Sequence, residues 1–222
     1  MKKIILTFDD GPSKNFSKLL DYLIKNNHKA IFFCCGENLE KIKFEEHLIK
    51  AIKNGFIIAN HSYSHPNFNF ISFDKGKNEI IKTDKIIAKL YEKARIKQEI
   101  KLFRFPSFRE GIFHFFKYQR LLKKLDYSNY YHKKNFFNFN LRKKYFIYHL
   151  FQGIFIGRYD VYCEIDPADW NKKISFEKMK VLLDKARNND IIDLHDQEHS
   201  LNKSTKKICE YLYVKGFELS KI

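Results

Sequence analysis

His61 and His65 stand four residues apart, so a helical turn between them would aim both imidazoles one way. That spacing suits a shared metal ion. Two imidazoles hold an ion loosely. A carboxylate from Asp9 or Asp10 would complete three protein ligands and leave a position for water, the arrangement of catalytic rather than structural zinc. Adjacent carboxylates leaving a strand point in different directions, so one can ligate while the other accepts a proton. Such a pair needs cationic compensation, for which Arg104 is a candidate. His195 offers a separate acid. Each feature alone has a plainer reading: an isolated HxxxH is most often a surface pair, and Asp-Asp-Gly-Pro is good turn chemistry.

Their placement relative to the apolar runs gives them weight. Strands are predicted at 4–8, 30–34, 56–59, 100–103, 159–165, 190–194 and 217–219. Amphipathic helices are predicted at 15–26, 39–53, 74–96, 113–125, 176–186 and 201–213. This alternation reads as an α/β fold with a mainly parallel sheet, either a barrel or an open doubly-wound sheet. Asp9-Asp10, His61–His65, Arg104 with Pro106, Asp166–Trp170 and His195-Asp196 each follow a predicted strand. Sites assemble at the carboxyl ends of parallel strands. Five polar clusters at five such ends would meet in one mouth.

The same residues carry a family resemblance. Thr7-Phe8-Asp9-Asp10-Gly11-Pro12 resembles the opening motif of the polysaccharide deacetylases, the NodB-homology or carbohydrate esterase family 4 enzymes. His61 to His65 matches their H-[ST]-x-x-H motif, and Arg104-Phe105-Pro106 is similar to their third. Asp166, Asp169 and Trp170 keep the D-x-x-D-W spacing, and Leu194-His195-Asp196 resembles the fifth motif. All five stand in the family's order between residues 7 and 196. The resemblance implies a distorted (β/α) barrel of about seven mainly parallel strands. It also implies a metal-dependent hydrolase that removes an N-acyl group, acetyl foremost, from an amino sugar. By position, Asp10, His61 and His65 would hold one divalent ion, Zn2+ first, with Co2+, Mn2+ or Ni2+ as substitutes. Asp9 would be the base and His195 the acid. Arg104 would orient Asp9, and Asp169 would tune His195. Trp170 and Leu194 would wall the acyl pocket, and Pro106 with the Ser107 backbone N–H would meet the substrate. The sequence departs from the family at Ser107-Phe108, where Tyr-Gly or Gly-Gly is usual, and at Asp193, where an apolar residue is usual. The other reading of the same motifs is a non-catalytic carbohydrate-binding relative.

Composition bounds the rest. The 222 residues carry a net charge of +16, and suit one domain spanning 1–222. Of 42 basic residues 35 are Lys, whereas readers of phosphates and bases favour Arg. Nucleic acid is therefore a poor candidate partner. An excursion near 117–158 holds ten Lys/Arg, twelve aromatics and one acid, Asp126, and would suit an anionic membrane surface. The apolar run after Met1-Lys2-Lys3 stops at Asp9, which reads as a strand and not as the core of a signal peptide. A cytoplasmic or inner-membrane peripheral location is expected on that basis. The expected partner is an N-acylated amino sugar, in a polymer or linked to lipid. Cys34, Cys35, Cys163 and Cys209 form no CxxC pair and are expected as thiols.

Overall fold

Side chains alternating between two buried faces along the first strand organise the molecule. In the computed structural model, which describes residues 2–110, 113–128 and 163–220, β1 spans Lys2–Asp9. Successive side chains of a strand face opposite sides of the sheet. Ile4, Leu6 and Phe8 enter the larger core, while Ile5 enters a smaller one on the other face. Thr7 and Asp9 share the Ile5 side.

The chain continues through α1 (Phe16–Lys25), β2 (Ile31–Cys34), α2 (Gly36–Leu39), α3 (Glu45–Lys53), β3 (Ile57–Asn60), α4 (Phe73–Ala94) and α5 (Phe115–Lys124). It ends with α6 (Phe176–Leu183), β4 (Asp190–His195), α7 (Lys206–Val214) and β5 (Phe217–Ser220). The strand order is β3-β2-β1-β4, with β5 beside the amino-terminal half of β1, and every pairing is parallel. Asp9 pairs in register with His195, and Cys34 with Asn60. The carboxyl ends of four strands therefore lie along one edge, as the sequence required.

The described part of the sheet holds fewer strands than the seven expected. Five strands stand among the described residues, in open order. The predicted strands at 100–103 and 159–165 contribute single parallel bridges, Phe103 to Asn60 and Ile165 to Ile192, one at each edge. Residues 159–162 lie outside the described residues, and barrel closure is not seen among those described. At the Phe103 edge the chain turns away at once, into a short helical turn that begins at Pro106. The helix expected at 39–53 is also divided. Lys41 is extended (φ −74°, ψ 110°), which separates α2 from α3. Of the basic-aromatic excursion, 117–124 complete α5 and 129–158 lie outside the described residues.

Helices α1, α3, α6 and α7 cover the larger core. Phe32 is its aromatic centre, with ring centroids 5.4 Å from Phe8, 5.1 Å from Phe16 and 5.7 Å from Phe56. Truncating such a ring costs about 3–5 kcal/mol. A third cluster, with Phe68, Phe103, Phe105 and Tyr118, packs α4 and α5 around the segment that carries Arg104. All four cysteines are free. No described helix is long and apolar enough to cross a membrane.

Candidate active site

The two aspartates part as β1 ends. Asp9 is still in the ladder, whereas Asp10 takes a left-handed backbone (φ 70°) that swings its carboxylate away. Asp10 Oδ1 lies 3.2 Å from His65 Nε2 and 3.6 Å from His61 Nε2. One donor atom from each of Asp10, His61 and His65 falls within 4.8 Å of the others. A tetrahedral ion with bonds of about 2.0–2.1 Å holds its donors roughly 3.4 Å apart. These three groups fit such an ion. The tautomer fits as well. His61 Nδ1 stands 3.0 Å from the Arg104 carbonyl, which can only accept, so the proton sits on Nδ1 and the Nε2 lone pair faces Asp10.

The electrostatics agree. Burial lowers the His61 pKa and favours the neutral ring that a metal needs. Burial would raise the Asp10 carboxyl, but its hydrogen bond to His65 and the neighbouring histidines hold it well below the usual carboxylate range. His65 is raised, first by its hydrogen bond to Asp10.

The histidine loop is not the expected helical turn. Ser62 and His65 are left-handed (φ 67° and 55°), and the two rings reach each other, centroids 5.1 Å apart, across a tight bend. Left-handed backbone costs a non-glycine residue about 1–2 kcal/mol, so the bend needs support. Asn60 accepts from Ser62 N–H (2.8 Å) and donates to the Ile80 carbonyl (2.9 Å) and the Tyr127 hydroxyl (2.6 Å). Glu79, from α4, accepts from the N–H groups of Tyr63 (2.9 Å) and Ser64 (2.6 Å) and from the Ser64 hydroxyl (2.9 Å). Sequence reasoning missed both. Asn60 had a signal, a polar residue at a strand end before His61. Glu79 had none, since only the packing of α4 brings it there.

Arg104 is fully buried. Its Nη1 donates to Asp9 Oδ1 (2.6 Å), Asp193 Oδ1 (2.7 Å) and Thr7 Oγ1 (2.9 Å), and its guanidinium lies 4.2 Å from the Phe33 ring centroid. The cation thus serves Asp9 and Asp193, where the sequence suggested Asp9 and Asp10. The unusual Asp193 is the second carboxylate of this cluster. Burial, then the charge of Asp9, push its pKa up, against the pull of Arg104.

His195 follows Asp193 on the same face of β4 and pairs in register with Asp9. Its Nδ1 lies 2.8 Å from Asp169 Oδ1, and its backbone N–H donates to Asp169 Oδ2 at 3.1 Å. Burial would lower its pKa. The hydrogen bond to Asp169 and the charges of Asp193, Asp169 and Asp9 instead raise it to about 10. Leu194, between them, faces the opposite side of the sheet and is fully buried in the helix-covered core. Trp170 is half-exposed, with its indole N–H 3.4 Å from Asp166 Oδ2. Pro106 is buried and Ser107 exposed, the latter at φ 51°. Asp196 accepts from the Ser13 N–H (2.9 Å) and hydroxyl (2.6 Å), and Gln197 donates to Asp10 Oδ2 (3.1 Å). Those two hold the loop after β1; Asp196 stood in the predicted strand-end cluster without an assigned role, and Gln197 was missed.

Residues 1–110 match the family model described as polysaccharide deacetylase, and they contain the Asp10, His61 and His65 cluster. The amino-terminal half of the chain thus resembles this family. A peptidoglycan-N-acetylglucosamine deacetylase of Bacillus cereus is 47% identical over 90 residues, which are 40% of this chain and 32% of that protein. The chain thus spans about a third of that relative. A family 4 carbohydrate esterase from Streptomyces lividans, solved with acetate, superposes with a TM-score of 0.70 over 98% of this chain and 91% of that one, at 22% identity. A mutant of a CE4 family pseudoenzyme with restored enzymatic activity superposes at 0.69, with 19% identity, covering 100% of this chain and 66% of that one. At such identities the two structures speak for the fold of this polysaccharide deacetylase homologue.

Proposed function

We propose that this protein is a metal-dependent N-deacetylase of amino sugars in a polysaccharide or glycan precursor. The observation that carries the reading is the meeting of three groups at one sheet edge. These are the Asp10–His61–His65 donor cluster, Asp9 held by Arg104, and His195 held by Asp169.

Amide hydrolysis needs water to lose a proton as its oxygen attacks the carbonyl carbon. The amine leaves only once it is protonated and the C–N bond breaks. A divalent ion held by Asp10, His61 and His65 would polarise the carbonyl and lower the pKa of water toward about 7. Asp9 then accepts the water proton. Arg104 fixes its carboxylate at 2.6 Å, which keeps the Asp9 charge on the side of the sheet that faces His195. His195, with its pKa raised to about 10, carries the proton that the leaving nitrogen requires. Asp169 fixes the His195 ring and leaves Nε2 to donate. Trp170 presents apolar surface for the acetyl methyl beside this group. The family match supports the reaction class, and the donor geometry supports the metal. The described residues on both sides of the 129–162 segment share one sheet, which supports one domain over 1–222.

The non-catalytic reading keeps one support, the likeness to a pseudoenzyme fold. Acetate release separates the two. Metal-stripped protein is assayed on acetylated chitooligosaccharide, peptidoglycan fragments and lipid-linked N-acetyl sugars, then reloaded with Zn2+, Co2+, Mn2+ or Ni2+. The expected result is release that returns with metal and is absent in Asp9→Asn, while that variant still binds one ion per chain. Metal binding without release on any substrate class would favour the carbohydrate-binding relative. Failure to bind metal would refute both the ligand set and the reaction.

A further inference from the structure

The site opens into a groove that ends in cationic residues. A cavity of about 350 Å³ begins at Asp10 and Asn38 and runs to Lys14, Lys43 and Phe44. A second hollow of about 230 Å³ shares those last three residues and adds Ser17 and His47. The near part of the groove has carboxylates in its wall, Asp10, Asp196 and Glu198. The far hollow has none; its polar wall is two ammonium groups, an imidazole and a hydroxyl.

The cations there are available to a ligand. Lys43 makes no ion pair among the described residues, and its Nζ lies over the Phe44 ring, 4.9 Å from the centroid. Lys14 pairs with Glu198 at 2.9 Å, but both side chains are well exposed, and an exposed pair of this kind exchanges at little cost. The backbone adds to the same sign. Helix α1 begins beside Lys14 with no acidic residue in its first turn and no side-chain cap, and Ser17 lies in that turn. Phe44 is buried and forms an apolar floor.

We propose that this hollow binds an acidic substituent, a carboxylate or a phosphate, of a glycan whose N-acetyl group lies at Asp10, His61 and His65. The preferred substrate is then an anionic glycan, recognised by Lys14, Lys43, Ser17 and His47. This inference rests on the deacetylase reading and adds the substrate class to it.

The test compares Lys14→Ala/Lys43→Ala with Lys25→Ala, which removes a charge at the far end of the same helix. Binding comes first and needs no turnover. Full-length protein is titrated with inorganic phosphate, with an N-acetylated sugar acid and with its neutral counterpart, followed by NMR shifts at Ser17, Phe44 and His47. Kinetics follow on acidic and neutral acetylated oligosaccharides of equal length. Loss of two exposed charge contacts predicts a several-fold rise in KM for the acidic substrate relative to the neutral one in the double variant. Lys25→Ala should move that ratio less than twofold. A response to phosphate alone assigns the substituent as phosphate, and a response to the sugar acid alone assigns a carboxylate. Equal affinity for acidic and neutral ligands overturns the proposal. So does an equal loss in Lys25→Ala, which would assign the effect to overall charge. Should neither substrate turn over, the deacetylase reading fails, and the binding titrations still decide the hollow.

Discussion

Replacing Asp169 with Asn tests how the fold sets the charge of its candidate acid. His195 titrates at about 10 against an ordinary 6.5, although burial works the other way. The carboxylates around it must therefore more than offset burial, and Asp169, at 2.8 Å from Nδ1, is the foremost of them. An opposite charge in such contact is worth about 1–3 pKa units, so Asp169→Asn should bring His195 down to about 7–9. The change is nearly isosteric, and one amide oxygen can still accept from the His195 backbone N–H. The proton inventory of the ring is what changes. The assay is an NMR titration of the His195 ring in metal-free protein, paired with the pH–rate profile of the loaded protein. A bound dication repels the imidazolium and lowers both limbs, so the difference between wild type and variant is the quantity read. The basic limb should fall by one unit or more. Stability should follow with a defined sign. A folded pKa above the unfolded one stabilises fully below about 6.5, and that stabilisation is lost as pH rises through 10. Wild type should thus lose a few kcal/mol of unfolding free energy across that window, and the variant should show a shallower loss. A His195 titration that moves by less than half a unit would refute the reasoning.

Two further outcomes follow from the supports of the site. Glu79→Ala removes the acceptor for three hydrogen bonds to the histidine loop. At about 1 kcal/mol each, discounted for partial exposure, the loss is roughly 2 kcal/mol, or about 30-fold in metal affinity by competition with a chromophoric chelator. Glu79→Gln keeps one oxygen for the two N–H donors and should recover most of it; equal affinity in all three proteins would show that the loop needs no clamp. Gly76→Ala should lower the melting temperature despite the better helix former. A Cβ there would stand inside the Tyr118 hydroxyl and 2.8 Å from its Cζ, and overpacking of about 1–3 kcal/mol exceeds the roughly 1 kcal/mol gained in propensity. A stabilised variant would mean that Tyr118 moves freely aside.

The candidate site residues were legible because they lie at strand ends, and the reaction class because their motifs resemble those of a known family. A strand end is local: a short apolar run stops, and the next polar residue stands at the sheet edge. Asp9, Asp10, His61, Arg104, Asp169 and His195 could be placed together on that rule, and the structure brings them to one edge. The same rule predicted different directions for Asp9 and Asp10, which the left-handed turn at Asp10 provides. The alternation along β4 turns Leu194 away from Asp193 and His195 into the helix-covered core, whereas the resemblance had implied that it walls the acyl pocket.

What the sequence could not decide was who supports whom. Asp193 reads as a misplaced charge in an apolar strand until Arg104 arrives from 89 residues away to meet it. Glu79 is one more polar residue on α4 until that helix packs against the histidine loop. The bend at Ser62 and His65, the single bridge at Phe103 where a full strand was expected, and the cationic hollow between Lys14 and His47 depend likewise on contacts between distant segments. Local pattern thus determined the chemical residues and the sheet edge they share. Tertiary packing decided their partners, charges and entrance, because burial and neighbours in space set a hydrogen bond or a pKa, and neither is written in the order of the chain.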